Sequence, residues 1–353
     1  MKHHRPTLAD IAGYSEIIDV RSPAEFTEDH IPGARNFPVL DDAQRAQVGT
    51  LYKQVSPFEA KKIGAALVSE NIARHLRESF LDRPKSWKPL IYCWRGGERS
   101  GAMTTIFRSI GWNAGQLDGG YKTYRGHVVE RLAELPKQFS FRIISGPTGS
   151  AKTRVLQAIG RLGGQVLDLE NLACHKGSVL GILPGQPQPA QKWFETLLLQ
   201  EFSRFDPTRP VFVEAESRKI GRLHVPDTLI ECMRLGQCLS IDASLASRVD
   251  FLLQDYDYFL KSPELLIQKL DALQGLQSRE TLGRWHALAS AAEWPELVRE
   301  LLEQHYDPLY RRSQERHFTP AQHLGHFASD DLSEAGIERL ATALLHHRPA
   351  QIA

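Results

Sequence analysis

The sequence predicts an α/β protein in two parts, each with a largely parallel sheet covered by helices, and a helical C-terminal extension from about residue 246. Three observations predict it. Short apolar runs alternate with helical patterns through the first third of the chain. The pattern stops at Leu135-Pro136-Lys137-Gln138 and restarts with a strand that runs straight into a glycine-bearing loop. From about residue 246 the periodicity is helical, with Pro263, Pro295 and Pro308 marking breaks. The expected domains are 1–134 and 141–353, joined by a linker at 135–140.

In order, Glu16-Ile17-Ile18-Asp19-Val20 and Pro89-Leu90-Ile91-Tyr92 read as buried strands. Between them Ser56-Pro57-Phe58-Glu59 is a capping box with proline at the first helical position, opening a helix to about Phe80. Arg83-Pro84-Lys85-Ser86 is a loop feeding the second strand, and Gly119-Gly120 breaks the chain before a helix over roughly 122–134. In the second part Phe141–Ile144, Val166–Leu169 and Pro210–Val213 are apolar strands.

Composition narrows the function classes. A length of 353 residues supports large cores, and an apolar share of 42% excludes a mostly disordered chain. A net charge of +1 excludes a bulk polycation, so any nucleic-acid site must be a local patch. The four cysteines, at 93, 174, 232 and 238, form no CxxC pair and lack partners at zinc-ligand spacing, so no structural metal is expected. No apolar run approaches the ~18 residues of a membrane span, and the N-terminus lacks a signal-peptide core. The expectation is a reduced, soluble, cytoplasmic protein with no membrane partner.

The first chemical candidate is Cys93-Trp94-Arg95-Gly96-Gly97-Glu98-Arg99-Ser100, directly after a strand and before a helical pattern. A cysteine there faces inward-pointing N–H groups and the positive end of a helix, which favour an anionic sulfur and cradle an anion bound to it. Arg95 and Arg99 add positive charge, and the glycines let the backbone curl. Cys93, Arg95 and Arg99 are therefore the expected catalytic residues, with Trp94, Gly96, Gly97 and Glu98 completing the cradle. Together with Ile18–Ser22, Glu25-Phe26, His30–Asn36 and Leu117–Tyr121, this loop resembles the ordered motifs of rhodanese-homology domains. The resemblance implies that Cys93 carries sulfur or selenium as a persulfide or perselenide, and that Asp19 and Arg21 hold the fold together. Five residues separate Cys93 from Arg99, one more than in many sulfur-transferring rhodaneses. That C-x5-R spacing resembles dual-specificity phosphatases, so a thiol-dependent phosphatase with a nucleotide-binding domain is the alternative function.

The second candidate is Gly146-Pro147-Thr148-Gly149-Ser150-Ala151-Lys152-Thr153, between a strand and the helical pattern Arg154–Leu162. It resembles the phosphate loop G-x-x-x-x-G-K-[ST], whose amides wrap phosphates, whose lysine reaches them, and whose hydroxyl holds magnesium. Gly146, Gly149, Ser150, Lys152 and Thr153 are the expected phosphate or diphosphate ligands. Ala151 stands where a second glycine is usual. Glu214 and Glu216 follow a strand and either approach the metal or pair with Arg218 or Lys219.

Further strings, Asp168–Glu170, Ala173–Ser178, Gln188–Glu195 and Glu214–Gly221, resemble the bacterial tRNA 2-selenouridine synthases. Lys176 replaces the arginine that family often shows, keeping charge but losing a bidentate fork. Glu170, His175, Lys176, Glu214, Glu216 and Arg218 form the second-domain candidate site. Cys174 beside His175 looks like a nucleophile–base pair, but adjacent residues do not face each other on regular elements, which leaves it structural or substrate-lining.

The two resemblances imply a rhodanese-like domain followed by a P-loop NTPase-like α/β domain. They imply transfer of selenium from selenophosphate to a wobble 2-thiouridine, through an S-geranylated intermediate made from geranyl diphosphate. The implied partners are the anticodon stem-loop of tRNA and selenophosphate synthetase. Residues 74–108 hold eight Lys/Arg and three Asp/Glu, with Trp87 and Trp94 interleaved, a pattern suited to tracking phosphates and stacking on unpaired bases. Trp94 either faces the anticodon loop or packs under the cysteine loop.

Overall fold

The computed structural model describes residues 5–178, 180–317 and 322–347. The chain divides into two compact units between Arg131 and Leu132. At the expected linker, Leu135–Gln138 is a single 3-10 turn with Leu135 and Pro136 buried.

The first unit is built on four parallel strands, β1 (Glu16–Asp19), β2 (Ala34–Asn36), β3 (Pro89–Tyr92) and β4 (Gly115–Gln116), in the order β2-β1-β3-β4. β3 is buried along its whole length, which is why it reads as a continuous apolar run. The two-residue β4 carries no such run and escapes sequence reading. The helix expected from Ser56 runs over Pro57–His75, and the Ser56 hydroxyl accepts from the N–H groups of Phe58 and Glu59. Trp87 does not serve as a base-stacking platform. It is 5% exposed in the core with Phe80, Phe107 and Trp112, and its indole N–H donates to Glu16 at 3.1 Å. A large ring with a satisfied N–H gains more from burial there than from display.

Asp19 and Arg21 form a fully buried ion pair at 2.6 Å. Arg21 also donates to the carbonyl of Asp29 at 2.6 Å and lies 3.9 Å from the centre of the Tyr121 ring. The Tyr121 hydroxyl donates to Asp29. Burial disfavours the Arg21 guanidinium, yet the hydrogen bonds and charge of Asp19 outweigh it and raise its pKa. Losing one partner of such a pair costs about 3–5 kcal/mol because the other charge stays buried. This cluster joins β1 to the Gly119-Gly120-Tyr121 corner, consistent with a structural role for Asp19 and Arg21.

The second unit carries a five-stranded parallel sheet. Its strands are β5 (Phe141–Ser145), β6 (Gln165–Leu167), β7 (Val211–Glu214), β10 (Gln237–Asp242) and β11 (His323–Ala328), in the order β11-β10-β5-β7-β6. A short antiparallel pair, β8 (Lys219–Ile220) with β9 (Leu223–His224), follows β7. The C-terminal part is not purely helical, because β11 adds an edge strand to this sheet. Its sequence, His-Leu-Gly-His-Phe-Ala, has no β-branched residue and is paired on one side only, so it gives no strand signal. The helix Glu334–His346 packs Ile337, Leu340 and Leu344 on Val155, Leu156 and Ile159 of the helix that follows the phosphate loop. The remaining C-terminal helices surround a separate core containing the fully buried Trp285, Leu270 and Leu297.

Candidate active site

In a parallel sheet all carboxyl ends lie on one edge, and ligands bind there. β5 ends at Ser145 and passes into the phosphate loop, β7 ends at Glu214, and β6 is followed by Glu170 in the short helix Leu169–Ala173. Adjacent strands thus bring residues from three distant stretches around one cavity of about 870 Å³. Gly146, Gly149, Lys152, Thr153, Glu170, His175, Lys176, Glu214, Glu216 and Arg218 all line it. Ser150 is fully buried beneath, its hydroxyl donating to Pro147 O at 2.8 Å.

The Lys152 ammonium closes the loop on itself, donating to Gly146 O at 2.8 Å and Pro147 O at 3.2 Å. Ala151 takes the left-handed conformation, φ 59°, that glycine would occupy freely. Its methyl belongs to the buried core cluster around the following helix.

Glu170, Glu214 and Glu216 place one carboxylate oxygen each within 4.8 Å of one another. The Thr153 hydroxyl donates to Glu170 at 3.1 Å. Glu214 is 5% exposed, and its Oε1 has no hydrogen-bond partner. Arg218 pairs with Asp227 instead, and among the described residues neither Arg218 nor Lys219 pairs with Glu214 or Glu216. The reading in which these carboxylates are merely neutralised by their basic neighbours is therefore not realised.

Burial, then the charges of Glu214 and Glu216, push Glu170 up to about 10; burial pushes Glu214 up to about 7 against the pull of Lys152. The folded state thus holds protons that the unfolded chain, titrating near 4.5, gives up. Stability from this source is fully present below about pH 4.5 and is lost as pH rises through about 7 and toward about 10. In chelator, unfolding of the second unit followed by denaturant titration should show stability falling over pH 5–8, and Glu170→Gln should flatten that slope.

His175 is buried, with Nδ1 unpartnered, and burial pushes its pKa down. Cys174 is left-handed, φ 49°, and caps the short helix. Lys176 is held by the Asp255 carboxylate and carbonyl, both at 2.6 Å, over the Tyr256 ring. One residue missed in the sequence is Arg248. It donates to Thr148 O of the phosphate loop at 2.7 Å while gripping Asp307 through both terminal nitrogens, at 2.6 and 3.0 Å. The C-terminal helices thereby brace the loop, across a separation that no local pattern encodes.

In the first unit, Cys93 follows β3 directly and is buried, and Ser100 donates to its Sγ at 3.2 Å. The helix Glu98–Ile110 begins in this loop, with Gly97 at its N-cap. Gln116 donates to the carbonyls of Gly96 and Gly97 at 2.7 and 3.0 Å, and Arg5 donates to Gly96 O. The glycine corner packs against the loop, with Tyr121 N–H on Cys93 O and Lys122 N–H on Trp94 O. Gly120, φ 61°, has no room for a side chain: a Cβ would lie 2.3 Å from Cys93 O. Arg99 is engaged by Glu25 at 2.7 and 3.3 Å, whereas Arg95 and Glu98 are exposed. Burial would raise the Glu25 pKa, but Arg99 lowers it and keeps the pair charged. Trp94 is 36% exposed with its ring beside Tyr121, so it neither underlies the loop nor stands free.

Two family models match the chain: a rhodanese-like domain over residues 7–127, and the tRNA 2-selenouridine synthase AAA domain over residues 139–284. A tRNA 2-selenouridine synthase of Nitrosomonas europaea is 35% identical over 298 residues, spanning 82% of this chain and 73% of the relative. The chain belongs to the tRNA 2-selenouridine synthase family. Synthases of Bdellovibrio bacteriovorus and Alcanivorax borkumensis are 33% and 32% identical, over 85% and 83% of this chain and 89% and 88% of their own lengths. In this synthase-family chain the Cys93 loop lies in the first matched stretch, and the phosphate loop and its carboxylates lie in the second. The helix Trp294–Leu301 and strand β11 lie beyond both matches. No helix among the described residues is long and apolar enough to cross a membrane.

Proposed function

We propose that this protein replaces the sulfur of a wobble 2-thiouridine in tRNA with selenium from selenophosphate, by way of an S-geranylated intermediate. The supporting observation is that one synthase-family chain carries two loops of different chemistry: a buried cysteine in a helix-capping loop, and a lysine-bearing loop beside three carboxylates.

At the phosphate loop, the thiouridine sulfur attacks C1 of geranyl diphosphate. The C1–O bond breaks, diphosphate leaves against Lys152 and the loop amides, and the uridine N3 proton is lost to solvent. Sulfur that leaves poorly from a thiocarbonyl thus becomes one that departs as a thiol. The oxygen-only donor set of Thr153, Glu170, Glu214 and Glu216, with a buried orphan oxygen, suits a hard cation. These four residues would hold magnesium, which when bound offsets diphosphate charge.

At the cysteine loop, the Cys93 sulfur attacks phosphorus of selenophosphate, the P–Se bond breaks, and selenide leaves. Ser100, which donates to Sγ, holds the sulfur in place for this attack. Selenide adds at C2 of the alkylated uridine, the C2–S bond breaks, and geranylthiol leaves with a proton. Water then frees Cys93 as phosphate departs. Trp94, exposed beside Cys93, stacks on an unpaired anticodon base, and selenophosphate synthetase is the partner that would deliver the selenium donor.

Order of addition tests this. With selenophosphate withheld, purified protein, 2-thiouridine tRNA and geranyl diphosphate should accumulate the S-geranyl nucleoside, and later selenophosphate should convert it to 2-selenouridine. Direct formation of 2-selenouridine without geranyl diphosphate would refute the intermediate.

A further inference from the structure

Beside the phosphate loop a second, smaller cavity of about 70 Å³ opens among the C-terminal helices. Five residues, Thr148, Ser178, Leu252, Tyr256 and Tyr306, line both it and the large cavity, so these form its mouth. The lining beyond the mouth is aliphatic and aromatic and includes Leu180, Phe259, Leu266, Trp294, Leu297 and Val298. Hydroxyl groups line only the mouth, where Thr148 belongs to the loop that would hold a diphosphate; beyond it the one side-chain polar group is the Trp294 indole N–H.

We propose that this lobe receives the far end of the prenyl chain and gauges its length. The inference rests on the geranyl diphosphate reading above and deepens it. A nucleobase would leave its ring nitrogens and amino groups unpaired in such a lining, at a cost that hydrocarbon does not incur. A cavity of about 150 Å³ holds a benzene ring. At 70 Å³ the lobe takes only the branched end of a chain, while the first isoprene unit lies in the mouth between Tyr256 and Tyr306. A ten-carbon chain then fills the lobe, a five-carbon chain fails to reach it, and a fifteen-carbon chain has no room for its last unit.

Two substitutions move the limit in opposite directions. Leu297, fully buried in the wall, becomes Leu297→Ala to lengthen the lobe. Val298, half-buried at its side, becomes Val298→Phe to fill it, and its partial exposure makes this the variant that keeps the fold. The measurement is kcat/KM for transfer from dimethylallyl, geranyl and farnesyl diphosphates to 2-thiouridine tRNA, with inorganic diphosphate binding checking that the loop is intact. Val298→Phe should lower geranyl use at least tenfold relative to dimethylallyl, and Leu297→Ala should raise farnesyl relative to geranyl at least tenfold. If the wild type transfers geranyl but Val298→Phe leaves the chain-length ratios unchanged, the lobe is not the gauge and the geranyl reading stands. If the wild type transfers none of the three chains, both are overturned.

Discussion

Lys152→Ala should lower S-geranylation of 2-thiouridine tRNA by about 10²–10³-fold, the cost of removing one preorganised donor from a developing anion. The ammonium sits on the loop that the substrate diphosphate would occupy, and among the described residues it donates to two loop carbonyls, Gly146 O and Pro147 O. On the proposed reaction negative charge grows on the bridging oxygen as C1–O breaks, so the loss should fall on kcat more than on KM. Lys152→Arg keeps the charge but changes a compact point donor into a planar fork, and partial rescue is expected. Capture of selenophosphate at Cys93 should be unchanged in both variants, because that loop shares no residue with this one. Normal geranylation by Lys152→Ala would remove the phosphate loop from the alkylation step.

Both loops were legible because each is written in a short contiguous stretch whose residue types have one economical explanation. A cysteine after an apolar strand, followed by glycines and a helix start, calls for a tightly curled turn, and Gly97 caps the helix there. Gly146 to Thr153 needs a strand before it and a helix after it, and both are present. Ala151 illustrates the limit of reading the motif by residue type alone. The backbone holds the left-handed turn, at the ~1–2 kcal/mol that an L-residue incurs there, and the methyl packs into core.

What escaped the sequence is long-range. Arg248 and Asp307 are fifty-nine positions apart, and neither has a local reason to face the phosphate loop. The tail lobe joins Leu180 to Trp294 through helices whose apolar faces read only as core. Strand β11 enters a sheet whose other members end by residue 242. Trp87 and Trp94, seven positions apart, look alike in sequence, yet one fills a core and the other is partly exposed at a turn. Tertiary packing decided between them. The sequence names Glu170, Glu214 and Glu216 only among six residues of one candidate site; the fold brings their oxygens within 4.8 Å of one another, while Arg218 pairs with Asp227.

The Cys93→Ala chain separates the two chemistries. It removes the sulfur that Ser100 contacts and leaves the loop's scaffold, the Gln116 bonds and the Tyr121 bond to the residue-93 carbonyl, in place. The phosphate loop, its carboxylates and the tail lobe are untouched, so alkylation should continue while selenium transfer stops. The direct measurement is nucleoside analysis of tRNA from cells that express either the wild type or Cys93→Ala as their sole copy. Loss of 2-selenouridine, with 2-thiouridine retained and its S-geranyl derivative accumulating, is the expected result; unchanged 2-selenouridine would contradict it.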